Sequence, residues 1–133
     1  MTIVRVLLVD DSDVFLEAAV SVVTKTDGFE LVGTATSGEE AVALAATLGP
    51  DLVLMDHRMP GLSGLDAALR IREENPNTVV TIVSADSGSQ LRDVDFPVLS
   101  KKEFNPTRLL ELWREAATGR CPARREVPRQ EST

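Results

Sequence analysis

The run Leu52-Val53-Leu54-Met55-Asp56 constrains this chain more than any other stretch. Four consecutive apolar residues end on an aspartate, with Pro50 before them and Pro60-Gly61 after them. A run this short does not separate helix from strand by periodicity. The flanking breakers favour a buried strand. Asp56 is then the last residue of a core strand, at the opening of a loop. Val6-Leu7-Leu8-Val9-Asp10-Asp11 ends the same way. Two more strand-like runs, Val79 to Val83 and Val98-Leu99, lead to Ser84 and Lys101.

Helical patterns fill the spaces between these runs. Asp11, Ser12 or Asp13 can cap a helix that carries Val14, Phe15, Ala18, Ala19, Val22 and Val23 to about Lys25. Phe29 to Thr36 reads as a second strand, with Gly33 inside it. Ser37-Gly38-Glu39-Glu40 is a capping-box pattern that opens a helix ending at Gly49-Pro50. A third helix carries Leu65, Ala68, Leu69 and Ile71 and ends near Asn75-Pro76. Between Ser84 and Phe96 there is room only for a short or irregular fourth helix. Asn105-Pro106 starts the last one, striped with Leu109, Leu112, Trp113 and Ala116. Strand and helix alternate five times. This predicts an α/β fold with a doubly wound parallel sheet. A five-stranded order of 2-1-3-4-5 is expected, which would put strands one and three side by side at the switch point.

That topology brings Asp10, Asp11, Asp56, Ser84 and Lys101 to one sheet edge, where ligands of open α/β sheets bind. Three carboxylates at close quarters repel unless a divalent cation joins them. All-oxygen donors suit Mg²⁺, which takes one or two carboxylates and keeps waters that phosphoryl oxygens can replace. Lys101 adds a positive charge and Ser84 a hydroxyl donor. A carboxylate so flanked can attack phosphorus and hold an acyl phosphate by positioning and charge stabilisation. Taken singly, each residue has a plainer role: a helix cap, a strand end, a turn serine, a solvated lysine beside Lys102. Their convergence on one edge is what favours the chemistry. His57 reads as a loop residue, Cys121 as an inert thiol in the tail, and the Trp113 stripe as core packing.

Composition narrows the class. The 133 residues suit one domain, with 43% hydrophobic and 26% charged residues, and no run approaches a membrane span. The first residues enter a strand with no signal-peptide pattern, and one cysteine excludes an internal disulfide; a cytoplasmic setting is expected. The net charge is −7, although Arg120, Arg124, Arg125 and Arg129 make the last fifteen residues basic. The acidic body argues against direct nucleic-acid binding. We expect residues 1–118 to form the domain and 119–133 a flexible tail.

Val-Leu-Leu-Val-Asp-Asp near the start and Asp-Leu-Val-Leu-Met-Asp-His-Arg-Met-Pro-Gly-Leu-Ser-Gly-Leu in the middle resemble a response-regulator receiver domain of bacterial two-component signalling. Ser84, followed by the small Ala85, and Lys101 complete the set. The resemblance covers residues 3 to about 118. It implies a flavodoxin-like fold and a phosphoacceptor, Asp56, that receives its group from a histidine kinase or phosphotransfer protein. It implies Mg²⁺ held by Asp10, Asp11, Asp56 and the Arg58 backbone carbonyl, with Ser84 and Lys101 on the phosphoryl group. It also implies a downstream protein partner or an output domain outside this chain, phosphorylation-dependent homodimerisation among the outcomes, and no enzymatic turnover beyond the domain's own phosphorylation cycle. The sequence departs from the family in the short segment from Ser84 to Lys101, in Val98 where an aromatic is common, and in Lys102 where a proline usually stands.

Two rivals remain at this level. A haloacid-dehalogenase-like phosphatase would use Asp11-Ser12-Asp13, a later serine and a downstream lysine, but leaves Asp56 without a role. A pseudo-receiver would bind partners without phosphorylation, against which the complete acidic set stands.

Overall fold

The computed structural model describes residues 3–57, 62–84 and 96–117. Five strands, β1 (Val4–Val9), β2 (Phe29–Ala35), β3 (Leu52–Asp56), β4 (Val79–Ser84) and β5 (Val98–Ser100), form one parallel sheet in the order β2-β1-β3-β4-β5. The helices are α1 (Asp13–Lys25), α2 (Gly38–Leu48), α3 (Gly64–Glu74) and α4 (Pro106–Ala117). This is the doubly wound topology expected from the alternating runs. The expected helix between β4 and β5 lies outside the described residues, as do Arg58, Cys121 and the tail.

The sheet divides the core in two because alternate residues of each strand face opposite sides. Leu7, Val9, Val53, Met55, Val80 and Ile82 pack against the alanine-rich faces of α2 and α3. Val6, Leu8, Leu52, Leu54 and Val83 meet α1 and the last helix through Leu16, Val23, Leu109 and Leu112. β3 sits in the middle with every residue buried, which explains its unbroken apolar run. β2 lies at an edge, and its pairing with β1 slips between Val6 and Leu7, beside the strand-interior Gly33.

Side chains set the helix ends. Of the three candidate caps for α1, Ser12 is the one used: its Oγ accepts from the Phe15 N–H at 3.3 Å. Ser37 accepts from the Glu40 N–H at 3.1 Å, and Glu40 in turn accepts from the Thr36 N–H at 2.9 Å, one residue earlier than the reciprocal bond of a capping box. α3 is capped by Ser63, a role not expected from the sequence, and Asn105 caps the last helix through the Arg108 N–H.

One core group is out of place. Thr81 is fully buried on β4 and, among the described residues, its Oγ1 has no hydrogen-bond partner. A buried hydroxyl without a partner costs about 1–3 kcal/mol. Thr81→Val keeps the shape and removes the orphan, so the variant should melt a few degrees above wild type. A melting point equal to or below wild type by calorimetry would show that the hydroxyl is satisfied in solution.

Candidate functional site

The carboxyl ends of β1, β3, β4 and β5 meet at one edge, and the five residues singled out in the sequence lie there. Val9 pairs with Met55, so Asp10 and Asp56 follow as neighbours on adjacent strands. Asp56 pairs with Val83, and Ser84 with Ser100, which places Ser84 and Lys101 one step further along the same edge. Asp10, Asp56 and Ser84 are buried, while Asp11 is exposed.

Asp10, Asp11 and Asp56 each offer a carboxylate oxygen, and the three atoms lie within 4.8 Å of one another. Asp13 stands outside this group, exposed in the first turn of α1. That denies the phosphatase reading its aspartate pair. Asp10 is fixed by its own backbone surroundings: its N–H donates to the Ala35 carbonyl at 3.0 Å and its Oδ1 accepts from the Ser12 N–H at 2.8 Å. Its other oxygen, Oδ2, is buried and accepts no well-aligned hydrogen bond from the described residues. What it has is charge: the Lys101 ammonium lies 2.7 Å away. The same ammonium is 3.4 Å from Asp56 Oδ1.

Lys101 thus neutralises part of an acidic pair that burial makes costly. Burial alone would pull its pKa down, but the contact with Asp10 and the fields of Asp56 and Asp10 outweigh this and raise it above the ordinary lysine value. For a base with a raised folded-state pKa, the stabilisation is complete below the unfolded value. It is lost only as pH climbs through the folded one. The site therefore keeps its lysine charge throughout the neutral range. All donors in the group are hard oxygens, two buried and one open to solvent, which fits Mg²⁺ with retained waters.

Sequence reasoning missed three contributors. The ring of Phe15, on α1, lies under the Lys101 ammonium, 4.5 Å from Nζ to the ring centroid. Gly64 opens α3 directly against the end of β3: a Cβ there would stand 2.0 Å from the Asp56 carbonyl oxygen. Glu39, on α2, accepts from the Leu62 N–H at 3.2 Å. Only Gly64 left a sequence signal, a glycine where a helix former is expected. The departure at Lys102 has a structural account. β5 runs into a 3-10 turn, Lys101–Glu103, and the Lys102 N–H, which a proline would lack, donates to Ser100 Oγ at 3.2 Å. Val98 is half-buried against the α2–α3 side of the core. Among the described residues no helix is long and apolar enough to cross a membrane.

Residues 6–112 match the response regulator receiver domain family. The response regulator GacA of Pseudomonas viridiflava is 41% identical over 81 residues, which are 61% of this chain and 38% of GacA. The chain therefore spans well under half the length of that relative. The chemotaxis protein CheY of Thermotoga maritima is 36% identical over 112 residues, covering 80% of this chain and 92% of CheY. Among solved structures, the signal receiver domain of NarL from Mycobacterium tuberculosis superposes with a TM-score of 0.78 at 28% identity, covering 90% of this chain and 99% of that one.

Proposed function

Because this chain belongs to the response regulator receiver domain family, we propose that it is a phosphoacceptor switch whose acceptor is Asp56. One observation carries the reading. Asp56 ends the central buried strand, its carboxylate grouped within 4.8 Å with those of Asp10 and Asp11 and lying 3.4 Å from the Lys101 ammonium.

The transfer follows from that arrangement. A carboxylate oxygen of Asp56 forms a bond to the phosphorus of a phosphohistidine or a small acyl phosphate. The bond from phosphorus to the donor nitrogen or oxygen breaks, and its electron pair leaves with the donor. Asp56 is held by β3 and cannot retreat, so approach is a matter of position more than of nucleophile strength. Lys101 stays charged and faces the attacked group. Ser84, at the end of β4, offers a hydroxyl donor to a phosphoryl oxygen. Asp10 and Asp11, with Asp56 and the Arg58 carbonyl, would hold Mg²⁺. The ion would supply charge neutralisation of the phosphoryl oxygens.

The donor is then a histidine kinase or a phosphotransfer protein. The recipient of the signal is a downstream protein or an output domain beyond this chain, and a second copy of the phosphorylated domain is a further candidate. No turnover of an independent substrate is assigned, and a cytoplasmic setting follows from the kinase. The acidic group, complete and paired with a lysine, favours this over a pseudo-receiver.

Mg²⁺ in the millimolar range should raise the melting temperature, through relief of carboxylate repulsion and mass action. Asp11→Asn should lose most of that gain while folding normally, since Asp11 is exposed. Identical melting curves with Mg²⁺ and with a chelator would remove the metal from the proposal.

A further inference from the structure

Lys101 has a long, flexible side chain, yet its ammonium is bounded on three sides. Asp10 Oδ2 and Asp56 Oδ1 lie 2.7 and 3.4 Å away, and the Phe15 ring closes the third side at 4.5 Å. Only 19% of the side chain is exposed. The ring is itself held from two directions. Its backbone N–H donates to Ser12 Oγ, and the Ser12 N–H donates to Asp10 Oδ1, so Phe15 and Asp10 share one local frame. On the other side Phe104 meets Phe15 with ring centroids 5.9 Å apart and planes tilted by 42°. Phe104 closes the turn that begins at Lys101, its N–H directed at the Lys101 carbonyl at 3.4 Å. The lysine and the ring that supports its charge are thereby tied together through Phe104.

We infer that Phe15 is a positioning residue for phosphoryl transfer, an aromatic rest that keeps the Lys101 ammonium aimed at Asp56. This rests on Asp56 being the acceptor. The physical reason lies in what changes during transfer. The negative charge on Asp56 is consumed when its oxygen bonds to phosphorus, so the ion pair with Lys101 weakens at that moment. The attraction between a cation and a ring face does not depend on Asp56 at all. Asp10, whose charge is also unchanged, anchors the ammonium from one side, and Phe15 keeps it from swinging off the Asp56 side through the step, so that the charge need not be re-ordered as it develops on the phosphoryl oxygens. Phe15 touches no reacting atom, and its effect passes wholly through Lys101.

The test compares Phe15→Leu, which keeps apolar bulk, with Phe15→Tyr, which keeps the ring. By NMR, the ε-methylene protons of Lys101 should be shifted upfield by the ring current in wild type and Phe15→Tyr, and should lose that shift in Phe15→Leu. Labelling by acetyl phosphate at saturating Mg²⁺ should slow about two- to fivefold in Phe15→Leu and recover in Phe15→Tyr. In a Lys101→Ala background the leucine change should have no further effect, because there is no ammonium left to aim. Phe15→Met gives the same comparison if leucine leaves the fold too unstable. A labelling loss of equal size with and without Lys101, or no upfield shift in wild type, overturns the positioning role alone. A wild type that takes no label at all overturns the acceptor assignment and this inference with it, even where the ring-current shift is present.

Discussion

Gly64→Ala is expected to lower the melting temperature by about 10 °C and to weaken the Mg²⁺ response. The new methyl carbon would lie 2.0 Å from the Asp56 carbonyl oxygen and 3.1 Å from both the Asp56 carbonyl carbon and the His57 Cα. All three are backbone atoms, so no side chain can swing away. Gly64 has no positive φ, and any loss must come from this contact. Overpacking typically costs about 1–3 kcal/mol, and an unyielding wall puts this case at the upper end. At roughly 4 °C per kcal/mol for a chain of this size, the shift is large. The functional part matters more. To relieve the contact, either α3 lifts or the end of β3 turns, and both break the Gly64 N–H contact with the His57 carbonyl at 3.4 Å. Gly38 repeats the device on α2, where a Cβ would fall 2.5 Å from the Leu62 carbonyl oxygen. Calorimetry with and without Mg²⁺ checks both halves. A melting point within two degrees of wild type, with a full Mg²⁺ response, would mean that the segment yields freely.

Lys101→Met should separate two roles that the geometry joins. In the proposed transfer the ammonium faces the phosphoryl group, and loss of one preorganised charge of this kind lowers a rate by about 10²-fold or more. It also contacts one oxygen each of Asp10 and Asp56, two of the three carboxylates that would hold a divalent cation. At these distances the opposed charges interact by several kcal/mol even with partial screening. Mg²⁺ should therefore bind the variant roughly tenfold or more tightly while labelling collapses. Without metal the variant should be less stable than wild type, since buried carboxylates are left facing one another. Titration calorimetry for the metal and a labelling time course measure the two arms. Weaker Mg²⁺ binding in Lys101→Met would show that the lysine helps to assemble the metal site and does not compete for it.

Much of this was legible in the chain because short apolar runs ending in Asp10, Asp56, Ser84 and near Lys101 report their own ends. The breakers that bound β3, Pro50 and the segment after Asp56, are local signals, as are the caps at Ser37 and Asn105. Alternation of the elements then pointed to a parallel sheet, while the order β2-β1-β3-β4-β5 is one of the doubly wound orders that such a pattern allows. The illegible part was tertiary. Nothing local distinguishes Ser12 from Asp11 or Asp13 as the cap of α1. The choice goes to Ser12 because its N–H is held by Asp10 Oδ1, leaving its own hydroxyl for Phe15. Phe15 reads as one more apolar residue on a helical stripe. Its role comes from Lys101, eighty-six positions away, and from the turn at Lys101–Glu103 that sets Phe104 against it. Glu39 reads as a first-turn acid, favourable to any helix, and only folding shows that it meets the Leu62 N–H.

Asp56 is the residue proposed to take the phosphoryl group. The direct measurement is to incubate the protein with Mg²⁺ and acetyl phosphate, trap the acyl phosphate by borohydride reduction, and map the modified residue by mass spectrometry. The label should fall on Asp56, vanish in Asp56→Asn, and need Mg²⁺. Label on Asp11 or Asp13, or full labelling of Asp56→Asn, would contradict the account.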